Sequence, residues 1–67
     1  MKLSVNQKEF HTDSDQLTVT ELLNEIQSLK PGVAVAVNDK VVRKVLWDST
    51  LLAEGDQITV ITAVCGG

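Results

Sequence analysis

One cysteine in 67 residues is the first constraint on this chain. A single thiol cannot staple a small domain, so the disulfide-rich secreted class is excluded and packing must hold the fold. Histidine is equally scarce. His11 stands alone, with no cysteine or second histidine near it in sequence, and is read as a surface residue rather than a metal ligand or base. Basic residues are outnumbered, with six Lys and Arg against nine Asp and Glu for a net charge of −3. That balance argues against nucleic acid as a partner and for a basic protein surface. No apolar run is long enough to span a membrane. Met1-Lys2-Leu3-Ser4 enters an alternating pattern with no signal-peptide core, which points to the cytoplasm. Repeats and low-complexity segments are absent. A chain this short buries about 60% of its unfolded surface. Residues 1–67 are therefore expected to form one domain, with no room for an internal cleft lined by catalytic groups.

What is present reads as alternating strands around one helix. Met1, Leu3 and Val5 alternate with Lys2 and Ser4, Asn6-Gln7 is a two-residue turn, and Lys8 to Thr12 returns with Phe10 pointing inward. Asp13-Ser14-Asp15-Gln16 is a polar loop. Thr18-Val19-Thr20-Glu21 is a capping box with Leu17 and Leu22 placed as a hydrophobic staple. Val19, Leu22, Leu23, Ile26 and Leu29 recur at helical spacing and predict a buried stripe, and the helix is expected to run until Pro31-Gly32 stops it. Val33 to Val37 is apolar on both faces and predicts an interior strand. Asn38-Asp39 repeats the first turn, Lys40-Val41-Val42 is its short partner, and Val45-Leu46-Trp47 reads as irregular or 3₁₀ structure. Trp47 has no interleaved basic neighbours of the kind that accompany base stacking, and is expected as a partly buried lid on the core. Leu51 to Asp56 closes the connection, with Gly55-Asp56 turning into the last strand.

The last eleven residues organise the rest. Ile58, Val60, Thr62 and Val64 share one face of a strand, and Thr59, Ile61 and Ala63 share the other. Cys65-Gly66-Gly67 follows directly. Glycine packs nothing and makes an ordered tail costly in entropy, so a Gly-Gly end to a strand suits a narrow channel better than a core. A carboxylate at Gly67 could reach a partner's active site with no side chain in the way. A frayed terminus is the plainer alternative. The strand is apolar on both sides and is expected at the centre of the sheet, a stiff arm with a short flexible tip.

The order β-β-α-β-β-β predicts an α+β fold, a mixed sheet covered on one face by one helix. It resembles the ubiquitin-like β-grasp and, across all 67 residues, the ThiS-type sulfur carriers of thiamine biosynthesis. The resemblance rests on the strand-turn-strand through Asn6-Gln7, on Thr18-Val19-Thr20-Glu21-Leu22-Leu23, and on Val35-Ala36-Val37-Asn38. Trp47, Glu54-Gly55-Asp56-Gln57-Ile58 and the final Gly66-Gly67 complete it. It implies a carrier, not an enzyme. The Gly67 carboxylate would be adenylated by a ubiquitin-activating-like adenylyltransferase (ThiF-type) that uses ATP. A cysteine-desulfurase relay would convert it to a thiocarboxylate, and thiazole synthase (ThiG-type) would consume the sulfur. No cofactor would be bound by this chain, and no metal. Gly66 and Cys65 would thread the partner's channel.

Two positions depart from the family pattern as the resemblance has it. Cys65 stands where a non-nucleophilic residue is expected, and is read as an ordinary small tail residue rather than a relay thiol. Arg43-Lys44 stands where some relatives carry proline, which is silent on function. If the helix covers the Ile58 and Val60 face, then Ile61, Thr59 and Ala63 form the open face. Ile61 is expected to anchor the adenylating enzyme, since two glycines alone offer little specificity. The alternatives are a carrier of the molybdopterin-synthase small-subunit type, a ubiquitin-like covalent modifier, and a binding module with an inert tail. The molybdopterin type is usually longer and richer in aromatics near its N-terminus than this chain with one Phe.

Overall fold

Two asparagine-led turns shape the sheet. The computed structural model describes residues 1–29 and 31–62. Strand β1 (Lys2–Val5) turns at Asn6-Gln7 into β2 (Lys8–His11), and β4 (Val33–Val37) turns at Asn38-Asp39 into β5 (Lys40–Val42). All four turn residues have positive φ, from 51° to 71°, the signature of the tight turns whose twist matches paired strands. Between the hairpins lie β3 (Leu17–Thr18) and the helix α1 (Val19–Glu25). After them come a 3₁₀ turn (Lys44–Leu46), β6 (Leu51–Leu52) and β7 (Gln57–Thr62).

The five long strands form one mixed sheet in the order β2-β1-β7-β4-β5, with β7 at its centre as expected. β7 runs parallel to β1, pairing Val5 with Ile58, and antiparallel to β4, where the register continues from Val37↔Ile58 to Val33↔Thr62. The architecture is the α+β, ubiquitin-like β-grasp arrangement, one helix over a mixed sheet. β3 and β6 pair as a small second sheet that the alternation pattern does not reveal, since two residues per strand carry no period.

The core lies between α1 and one face of the sheet. Leu3, Val35 and Ile58 from the sheet meet Val19, Leu22 and Leu23 from the helix, closed at one end by Leu17, Trp47 and Leu52. The capping box forms as written: Glu21 N–H donates to Thr18 Oγ1 at 3.1 Å, and Thr18 N–H donates to Glu21 Oε1 at 2.9 Å. Val19 and Thr20 N–H donate to the carbonyls of Thr50 and Trp47, so the first turn is tied to the segment before β6.

The helix ends earlier than Pro31 would require. Ile26 is its C-cap and Gln27 takes φ 59°. Ser28 N–H reaches Leu23 O at 2.8 Å and Gln27 N–H reaches Asn24 O at 3.2 Å, the paired bonds of a Schellman stop. Leu29 is therefore not part of the buried stripe and is 45% exposed. Trp47 is more than a lid. It is buried, and its indole Nε1 donates to Val42 O at 2.9 Å, so its one polar atom is satisfied.

Candidate functional site

The sheet face turned away from α1 is built from the alternate residues of each strand. On β7 these are Thr59 and Ile61, both exposed, while Ile58 is buried beneath the helix. Ile61 lies opposite Ala34, and Thr59 lies opposite Ala36, which in turn pairs with Val41 on the edge strand. Ile61 is 58% exposed and Val41 is 78% exposed. The small alanines between them leave a shallow apolar strip running across β7, β4 and β5. The parity expected for Ile61 and Thr59 is the parity observed. Ala63, Cys65, Gly66 and Gly67 lie outside the described residues.

A charged patch occupies β1 and β2 on the same face. Lys2 Nζ and Glu9 Oε1 are 2.8 Å apart across the β1–β2 pair, and His11 Nε2 approaches Glu9 at 3.5 Å. The Lys2 hydrogen bond, then that of His11 and the Lys2 charge, hold the Glu9 carboxyl below its ordinary value. The same hydrogen bond and the charge of Glu9 raise Lys2. His11 is exposed, as its parity opposite Phe10 requires. Among the described residues no group of His, Cys, Asp and Glu is arranged to hold a metal ion. Among the described residues, neither Thr59 nor Ile61 lines the open groove of about 350 Å³ formed by Thr20, Leu29, Pro31, Lys44, Trp47 and Asp48.

Side chains from both turns grip β7. Asn38 Oδ1 accepts from Gln57 N–H at 2.9 Å and its Nδ2 donates to Asp56 Oδ1 at 3.0 Å. Asn6 Oδ1 accepts from Val60 N–H at 2.8 Å and its Nδ2 donates to Val60 O at 3.2 Å. The entry turn is fixed as well. Gly55 takes φ 84°, Asp56 N–H donates to Ala53 O at 3.0 Å, and Asp56 Oδ2 accepts from Ala53 N–H at 2.8 Å. Turn chemistry marks both asparagines in the sequence, but their second role as clamps depends on a strand some twenty to fifty residues away and has no local signal. The central strand is thus held along its length, and it leads directly into residues 63–67.

Comparison with known proteins follows the same outline. The model of the ThiS family matches residues 2–67, the last two glycines included. This chain belongs to the ThiS family. The sulfur carrier protein ThiS of Escherichia coli (strain K12) is 34% identical over 50 residues, which span 75% of this chain and 76% of that protein. The crystal structure of the thiamine biosynthesis protein ThiS from Geobacter metallireducens superposes with a TM-score of 0.87 at 32% identity, covering all of both chains. A solution NMR structure of a thiamine biosynthesis protein from the same organism gives 0.81 at 32% identity, covering all of this chain and 88% of that one.

Proposed function

We propose that this chain is a sulfur carrier of thiamine biosynthesis, loaded as a thiocarboxylate on Gly67 and emptied into thiazole formation. The observation that carries the reading is the ThiS-family match that continues through Gly67. The name of the Escherichia coli relative, a sulfur carrier protein, supports it. The chemistry asks little of the carrier. An α-carboxyl with a pKa of about 3.3–3.7 is ionised at neutral pH and can attack an activated phosphorus. Attack on the α-phosphorus of ATP releases pyrophosphate and leaves an acyl adenylate. That mixed anhydride is the acyl donor a free carboxylate is not: sulfide displaces AMP from it to give the thiocarboxylate directly, whereas a persulfide gives an acyl disulfide that a thiol then reduces to the thiocarboxylate. Acid, base and ATP site all belong to the partner, a ThiF-type adenylyltransferase, and this chain acts as the substrate rather than the catalyst.

In this reading the open sheet face does the docking. Ile61, with Thr59 and Ala63, holds the adenylyltransferase while Gly66 and Cys65 thread its channel. The net charge of −3 suits a partner with a basic surface. A cysteine-desulfurase relay supplies the sulfur, a ThiG-type thiazole synthase consumes it, and the cycle runs in the cytoplasm. The test is reconstitution from purified chain, adenylating partner, ATP and sulfur donor, followed by intact mass. A gain equal to the exchange of one oxygen for one sulfur is expected. Higher-mass conjugates to lysine would replace the reading with a covalent modifier, and an unchanged mass would end it.

A further inference from the structure

The two hairpin turns of the sheet are matched in geometry and grip the central strand at two different places. Asn6 and Asn38 both take φ 51°. Asn38 holds the beginning of β7 through Gln57 and Asp56. Asn6 holds it farther along, at Ile58 and Val60. Its backbone N–H donates to Ile58 O at 2.9 Å, where the β1–β7 ladder stops because the chain turns away into β2. Its carboxamide then supplies the next rung, receiving Val60 N–H and donating to Val60 O. One side chain stands in for the strand that β1 no longer provides. On the far flank β7 stays paired with β4 as far as Thr62. Asn6 is thus what braces β7 on the β1 side beyond the end of that ladder.

We propose that Asn6 is a positioning residue for the activation of Gly67: by pinning both backbone groups of Val60 it holds in place the strand from which the chain continues to Gly67. The proposal rests on the carrier reading above. The physical ground is that a reacting group misplaced by about 1 Å can lose on the order of a hundredfold in rate. The Gly67 carboxylate follows β7 in sequence, so its approach to a partner starts from the strand that the Asn6 clamp holds. The docking face is separate, since Ile61 and Thr59 point away from the helix while the Asn6 clamp acts in the plane of the sheet.

The test compares Asn6→Gly with Asn38→Gly in the full chain. Glycine accepts the positive φ of either turn, so each variant loses the carboxamide without backbone strain, and both share the same added chain entropy. Amide hydrogen exchange is read at Val60, and kcat and KM for pyrophosphate release are read with the adenylating partner. In Asn6→Gly, Val60 exchange should quicken by about tenfold or more, the mark of a locally opened rung. Its kcat should fall by roughly tenfold with KM within about twofold, since docking is untouched. Asn38→Gly should melt lower yet keep its kcat. Asn6→Asp retains an acceptor for Val60 N–H and tolerates the turn, and should recover part of the lost kcat.

A wild-type kcat in Asn6→Gly despite faster Val60 exchange overturns the proposal. So does an equal loss of kcat in Asn38→Gly, which would mean that general loosening of β7 is responsible. Unchanged Val60 exchange would show that the clamp holds nothing. If the wild-type chain itself is not activated, the carrier reading fails and this proposal falls with it.

Discussion

Ile61→Glu separates docking from folding. Ile61 sits on the central strand opposite Ala34 and is 58% exposed, so just over half of its side chain is available to a partner. Fully burying an isoleucine is worth about 1.5–3 kcal/mol, and that fraction of it gives roughly 0.9–1.7 kcal/mol at an interface. At about 1.4 kcal/mol per decade this is a loss of some four- to twentyfold in affinity. Glutamate adds the cost of pressing an unpaired carboxylate into an apolar contact, which carries the expected loss beyond about tenfold. Folding should change little, because a surface substitution is usually within about 0.5 kcal/mol and the lower strand propensity of Glu adds at most about 1 kcal/mol. For a domain of this size that corresponds to a fall in Tm of under about 12 °C. The assay pairs thermal melting with titration against the adenylating enzyme. A variant that melts normally and binds normally removes the anchor. A collapse in melting would mean that Ile61 contributes to the fold far more than its exposure allows.

Three further outcomes are expected. Cys65→Ser should load sulfur at near the wild-type level, because no Lys or Arg stands among residues 45–67 to favour a thiolate relay; loss of thiocarboxylate by mass would make Cys65 part of the relay. Gln27→Gly should stabilise the fold, since the left-handed conformation costs an ordinary residue about 1–2 kcal/mol, and chemical denaturation would show a higher midpoint. Glu9→Gln should lower stability slightly at neutral pH. The folded-state pKa of Glu9 is depressed by Lys2, so its contribution is present above the unfolded carboxyl pKa and disappears as pH falls through the folded value. Denaturation midpoints of variant and wild type should therefore converge on acidification, and a gap that persists in acid would contradict the assignment.

Local chemistry made most of the fold legible. Thr18 and Glu21 announce the helix start because a capping box needs only four adjacent residues. Asn6-Gln7 and Asn38-Asp39 announce both hairpins because few residue pairs tolerate two successive positive φ values. Alternation in β7 set the parity of Ile58 against Ile61, and with it the open face. The misses have equally specific causes. Gln27 ends the helix without the glycine that marks such a stop in sequence, so the apolar spacing continues to Leu29 although the helix does not. Leu51-Leu52 pairs with Leu17-Thr18 over two residues, too short to leave a period. Trp47 is buried because it finds the Val42 carbonyl, a partner that only the folded 3₁₀ turn brings within reach. The exposed Val41 extends the apolar strip beyond β7, and its parity on an edge strand was the available clue.

The most direct measurement of the central claim is ATP–pyrophosphate exchange catalysed by the adenylating partner, with the full chain and with a chain lacking Gly67. Gly67 follows the central strand and carries no side chain to pack, so its removal should leave the melting curve unchanged. The full chain should support exchange and the shortened chain should not. Undiminished exchange without Gly67 would contradict the account.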